Sequence, residues 1–91
     1  MTLEFLAFPE VRDILFGLVS GDRFEKDFIR KFADGSSYQD IRDRLLKESL
    51  IYRFFGENNT PYLSLTDKGI AIVNRIDEIE RILAGEDVDD E

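Results

Sequence analysis

The feature that most constrains this 91-residue chain is a double change of hydrophobic period between Ser36 and Ala84. After Ser36 the apolar side chains fall at helical spacing. Ile41 and Leu45 are four apart, Tyr38 lies one turn earlier, and Leu46 sits alongside. Ser36 with Gln39, or Ser37 with Asp40, matches the capping box of a helix start. From Leu50 to Phe55 the sequence becomes β-branched and aromatic, as suits a strand. Gly56-Glu57-Asn58-Asn59-Thr60-Pro61 is a turn-rich loop. Tyr62-Leu63-Ser64-Leu65 alternates and returns the chain as a second strand. Helical spacing then resumes behind Thr66, a capping residue, and runs to about Ala84 before Gly85. The expected order is therefore helix, two-stranded hairpin, long helix.

Two further helices are expected ahead of these. Pro9 suits the first position of a helix over residues 9–19, whose Val11, Ile14, Leu15 and Leu18 share one face. Ser20-Gly21 ends it. Leu3, Phe5 and Phe8 are apolar, with strand and helix both left open. Asp22 to Ala33 reads as a second helix, with Asp22 as N-cap and Glu25 in capping-box position. Phe24, Phe28 and Phe32 recur every fourth residue beside Ile29, and this stripe is expected in the core. Asp34-Gly35 is a turn signal.

Composition narrows the chemistry. The chain has neither His nor Cys, which removes imidazole acid–base pairs, thiol nucleophiles, disulfides and zinc sites built on N or S ligands. No Asp/Glu spacing resembles a calcium loop, and the Gly residues are scattered rather than gathered in a phosphate loop. No catalytic residue, metal or cofactor is therefore expected. With no apolar run long enough for a membrane span and no secretory leader, the expected compartment is the cytoplasm. The net charge of −8 is unevenly spread: −2 over residues 1–34, zero over 35–66 and −6 over 67–91. Residues 86–91 read as a solvated, disordered acidic tail, which leaves residues 1–85 as one domain.

Two stretches carry a family resemblance. Ser37 through Ile51 resembles the recognition helix and its exit in small winged helix-turn-helix transcriptional regulators, near the MarR- and PadR-like groups. Tyr62-Leu63-Ser64-Leu65-Thr66-Asp67-Lys68-Gly69 is similar to their second wing strand, with a Leu-Thr-x-Lys-Gly signature leading into the last helix. Thr66 can cap that helix, while Gly69 lets strand and helix backbones approach closely. The family usually has Gly just after the recognition helix. Here that place is Ser49, which leaves the exit geometry open.

The resemblance implies a mainly α fold with a hairpin wing and a double-stranded DNA partner. Ser37, Gln39 and Arg42 would then face base edges, and Arg44, Lys47 and Arg53 would hold phosphates. Asn58 and Asn59 at the wing tip would touch backbone or minor groove. The interleaved acids oppose this, because Asp40–Arg44 and Asp43–Lys47 stand at ion-pairing helical spacing. The last helix, about 67–84, is apolar over a wide arc. Ile72, Ile76, Ile79 and Leu83 follow coiled-coil-like spacing, and a homodimer through them is expected. The opposing expectation is that Leu3, Phe5 and Phe8 cover that arc within one chain. A protein-interaction module that does not bind DNA stays open as the alternative.

Overall fold

The computed structural model describes residues 3–32 and 35–85. Its helices are α1 (Leu3–Leu6), α2 (Pro9–Gly17), α3 (Glu25–Ile29), α4 (Gly35–Lys47) and α5 (Asp67–Leu83). Its strands are β1 (Arg23–Phe24), β2 (Ile51–Phe55) and β3 (Pro61–Leu65), with a 3-10 turn at Glu57–Asn59 between the last two. The expected turn at Asp34, the Ser36 cap and the tail Glu86–Glu91 lie outside the described residues and side chains. No helix among the described residues is long and apolar enough to cross a membrane.

The hairpin forms as its alternation predicts, with Ile51 opposite Leu65, Arg53 opposite Leu63 and Phe55 opposite Pro61. The sheet, however, has a third strand. β1 pairs with the far edge of β3, Arg23 opposite Leu63 and Phe24 opposite Tyr62, giving an antiparallel sheet of order β1-β3-β2. The helix expected over Asp22–Ala33 is correspondingly shorter. It begins only at Glu25, and Asp22 does not cap it; the N-cap position is Phe24, which makes no side-chain cap bond. Pairing with β3, and the Phe24 ring 4.8 Å from the Tyr62 ring, win over local helix signals for these two residues.

The core fills the space between α2, α3, α4 and the sheet. Val11, Ile14, Leu15 and Leu18 of the first predicted face are fully buried, with Phe28, Tyr38, Leu45, Leu50, Ile51 and Leu63. The Phe stripe is only partly core. Phe28 is buried and Phe32 half-buried, whereas Phe24 and Ile29 are exposed. Once Phe24 belongs to a strand, the inward row of α3 becomes Glu25 and Phe28. The N-terminal segment resolves as helix α1, which buries Phe5 and leaves Leu3 and Phe8 in solvent.

Candidate nucleic-acid interface

The geometry of α4 follows from its two faces. Tyr38 and Leu45 are buried, and Ile41 and Arg42 are half-buried between them. Ser37, Gln39, Asp40, Asp43, Arg44 and Lys47 are exposed and form the outward face. Amphipathic spacing alone dictates this division.

The helix ends in a Schellman motif. The Leu50 N–H donates to the Leu45 carbonyl and the Ser49 N–H to the Leu46 carbonyl, both at 3.0 Å. Ser49 takes the left-handed conformation at φ 63°, so a serine does here what glycine does more easily. Leu45 and Leu50, which flank the motif, are both fully buried.

The segment Thr66-Asp67-Lys68-Gly69 fastens onto this exit. Thr66 Oγ1 donates to the Ser49 carbonyl and accepts from the Gly69 N–H at 3.0 Å, which makes it both latch and N-cap of α5. Lys68 Nζ donates to the Glu48 carbonyl at 3.0 Å, and the Thr66 N–H to the Leu50 carbonyl at 3.1 Å. A Cβ at Gly69 would run into that same Leu50 carbonyl oxygen. The close approach expected from the sequence is thus between the start of α5 and the exit of α4.

At the hairpin tip, Asn58 and Asn59 both have positive φ, 58° and 55°, and the Thr60 N–H donates back to the Glu57 carbonyl. Two central residues at positive φ are what a hairpin turn of the mirrored type requires, and Asn tolerates that region better than most residues. Both side chains are exposed.

Beneath α4 lies a group that sequence reasoning missed. Glu25, 2% exposed, accepts from three partners. Tyr38 Oη reaches Oε2 at 2.6 Å, Arg42 Nη1 reaches Oε2 at 2.9 Å, and Arg53 Nε reaches Oε1 at 2.8 Å. Burial pushes the Glu25 carboxyl up, but the hydrogen bonds from Tyr38, Arg42 and Arg53, with the charge of Arg53, outweigh it and hold it below the ordinary carboxylate range. Burial and the adjoining carboxylate push the Tyr38 phenol far up, so it remains the donor. Burial acts to lower the Arg42 guanidinium, yet bonds to Glu25 and Asp43 leave it raised.

The predicted site residues therefore divide. Ser37, Gln39, Arg44 and Lys47 share the outward face of α4, and Asn58 and Asn59 crown the hairpin. Arg42 and Arg53 instead converge on Glu25. Arg42 also grips Asp43 through Nε at 3.1 Å and Nη2 at 2.9 Å. Among the described residues no ion pair joins Asp40 to Arg44 or Asp43 to Lys47. Arg44 lies over the Phe5 ring, 4.5 Å from its centroid, and so ties α1 to α4. A signal for Arg42 was present: it stands four residues after Tyr38 and three before Leu45, on the buried row. Among the described residues no group of His, Cys, Asp or Glu could hold a metal ion.

The long helix is used on one side only. Val73 is buried and Ile72 half-buried against the chain's own core, Ile76 is half-buried, and Ile79, Ile82 and Leu83 are exposed. Leu3, Leu6 and Ala7 of the N-terminal segment meet Ile76, Ile79 and Leu83 along one apolar groove, bordered by the Arg12–Glu80 ion pair at 2.8 Å.

No protein-family model matches the chain, and no curated protein matches it in sequence. Solved structures do match it in shape. A substituted form of Lactococcus lactis ZitR superposes at a TM-score of 0.70 with 17% identity, over 86% of this chain and 56% of ZitR. S. aureus MepR, a transcription regulator of the multidrug efflux pump MepA, superposes at 0.69 with 22% identity, over 96% of this chain and 71% of MepR. H. salinarum RosR superposes at 0.68 with 19% identity, over 91% of this chain and 80% of RosR. The chain thus spans little more than half the length of ZitR. With α2, α3 and α4 packed under a hairpin and α5 returning behind them, this chain has the winged helix-turn-helix fold.

Proposed function

We propose that this chain is a DNA-binding transcriptional regulator that works as a homodimer, and that it acts by binding rather than by catalysis. The observation that carries the reading is the outward face of α4. Ser37, Gln39, Arg44 and Lys47 stand exposed on a helix whose other side is locked into the core, beside a hairpin tipped by Asn58 and Asn59. That is the arrangement by which a recognition helix enters a major groove while a wing follows the backbone. A substituted MepR of the same fold has been solved bound to an oligodeoxyribonucleotide, at a TM-score of 0.66 and 22% identity to this chain. Gln39 is suited to adenine, and Arg44 and Lys47 to phosphates. Residues 1–85 act as the domain, with α5 as its dimerisation helix, and the reading entails a cytoplasmic location.

The dimer is supported by apolar surface that one chain leaves uncovered. Leu3 is 82% and Leu83 81% exposed at the two sides of the α1–α5 groove. Ile72 contributes less than its spacing suggests, since the chain's own core covers part of it, and Ile76 is half-buried. Backbone amide shifts on adding a duplex test the DNA surface. Shifts clustered at Ser37, Gln39, Arg44, Lys47, Asn58 and Asn59 are expected; shifts confined to other elements would contradict it.

A second reading, a protein-interaction module on the same fold, is favoured by one observation. Tyr52 and Phe55 of β2 are 50% and 58% exposed, more apolar surface than a phosphate-tracking strand needs. That reading requires indifference to duplex DNA even at low salt.

A further inference from the structure

Four basic residues belong to α4 and β2: Arg42, Arg44, Lys47 and Arg53. Two of them are tied to the buried Glu25. Arg42 uses all three of its nitrogens, Nη1 on Glu25 and Nε with Nη2 on Asp43. Arg53 gives Nε to Glu25 and lays its guanidinium over the Phe55 ring, 4.9 Å from the centroid. Their side chains are 18% and 32% exposed, so both retain an edge toward solvent, but neither is loose.

We propose that Glu25 is an internal counter-ion that keeps Arg42 and Arg53 off DNA phosphates and uses them to set the recognition helix against the wing. The inference rests on the DNA-binding reading and specifies how that surface is tuned. Its physical basis is the cost of a buried charge. Drawing Arg42 or Arg53 out to a phosphate would leave a carboxylate that is 2% exposed short of a partner, a heavier loss than a solvated phosphate contact returns. Both guanidiniums therefore stay where they are.

The two carboxylate oxygens divide the work. Oε1 holds β2 through Arg53, and Oε2 holds α4 through Arg42 and Tyr38. One side chain from α3 thus fixes the spacing between the helix that would read bases and the strand that leads to the wing tip. Glu25 is a positioning residue: it touches no DNA. Its effect is a surface with fewer electrostatic contacts than its arginines could supply, and a more exact one.

The test is the dependence of duplex affinity on salt, measured by fluorescence anisotropy. It uses a duplex from upstream of the chain's own gene and a scrambled duplex, with the full chain and two variants, Glu25→Gln and Arg53→Gln. Each phosphate contact contributes about −0.9 to the slope of log K against log salt. Glu25→Gln should free the guanidiniums, bind the scrambled duplex more tightly, and steepen that slope by about 0.9 to 1.8. It should also lose preference for the gene's own duplex. Arg53→Gln should leave the slope at its wild-type value, since Arg53 makes no phosphate contact. A slope unchanged in Glu25→Gln, or one shallower by about 0.9 in Arg53→Gln, overturns the inference. If Glu25→Gln does not fold, the Arg53→Gln slope decides alone. If neither wild type nor Glu25→Gln binds duplex at about 50 mM salt, the DNA-binding reading itself falls and takes this inference with it.

Discussion

At the scale of single residues, Glu25 does most to define the site. A carboxylate this deeply buried persists only because a phenol and two guanidiniums satisfy it. Tyr38→Phe removes one donor and leaves the charge. We expect a loss of about 1.5 to 3 kcal/mol in urea unfolding, the usual worth of a hydrogen bond to a charged group. A loss near zero would mean that the Tyr38–Glu25 bond is not made in solution. The same carboxylate predicts acid sensitivity. Its folded-state pKa lies below its unfolded value, so its contribution is present above the unfolded pKa and fades as pH falls through the folded one. Glu25→Gln should flatten the acid side of the stability profile; an unaltered profile would remove Glu25 as its source. This hub was only half legible in the sequence. The helical phase of Arg42, between Tyr38 and Leu45, pointed inward. Glu25, in contrast, matched a capping pattern, and nothing local showed that its helix would begin three residues later than Asp22.

At the scale of elements, segments with their own periodicity were legible and segments defined by a partner were not. α2 and α4 bury the face their spacing marks out, and the hairpin forms where its sequence places it, whereas α5 buries Val73 and leaves Ile79 and Leu83 of its marked row exposed. β1 is two residues long and exists because β3 offers an edge, information that lies some forty residues away in the chain. The exit of α4 shows how one element boundary controls three neighbours. Ser49 holds a left-handed turn while its carbonyl, with those of Glu48 and Leu50, receives Thr66 and Lys68 at the start of α5. A left-handed conformation costs a non-glycine residue roughly 1 to 2 kcal/mol, and part of the gain from glycine is lost to its freer unfolded state. Ser49→Gly should therefore stabilise the chain by up to about 1 kcal/mol. Destabilisation would show that the Ser49 side chain contributes something the backbone geometry does not reveal.

At the scale of the whole molecule, charge and apolar surface are segregated. The acidic excess lies mainly beyond Thr66, while residues 35–66, which contain α4 and the hairpin, are neutral overall. The exposed Leu3 of α1 and Ile79 and Leu83 near the end of α5 lie together along one apolar groove. Such a patch is what a second copy would cover. Replacing two exposed residues, Ile79→Asp with Leu83→Asp, should convert a dimer to a monomer in sedimentation velocity with the far-UV spectrum retained. A wild-type chain that already sediments as a monomer would contradict the dimer. Neutrality of the α4 surface has a consequence for DNA as well. With few phosphate contacts per protomer, binding should depend on two protomers acting together and on the bases read by α4. The most direct test is fluorescence anisotropy of the chain with a duplex from upstream of its own gene, beside a scrambled duplex, at about 50 and about 200 mM salt. Preference for the gene's own duplex and weaker binding at the higher salt are expected. Failure to bind either duplex at the lower salt, or equal binding to both, would contradict it.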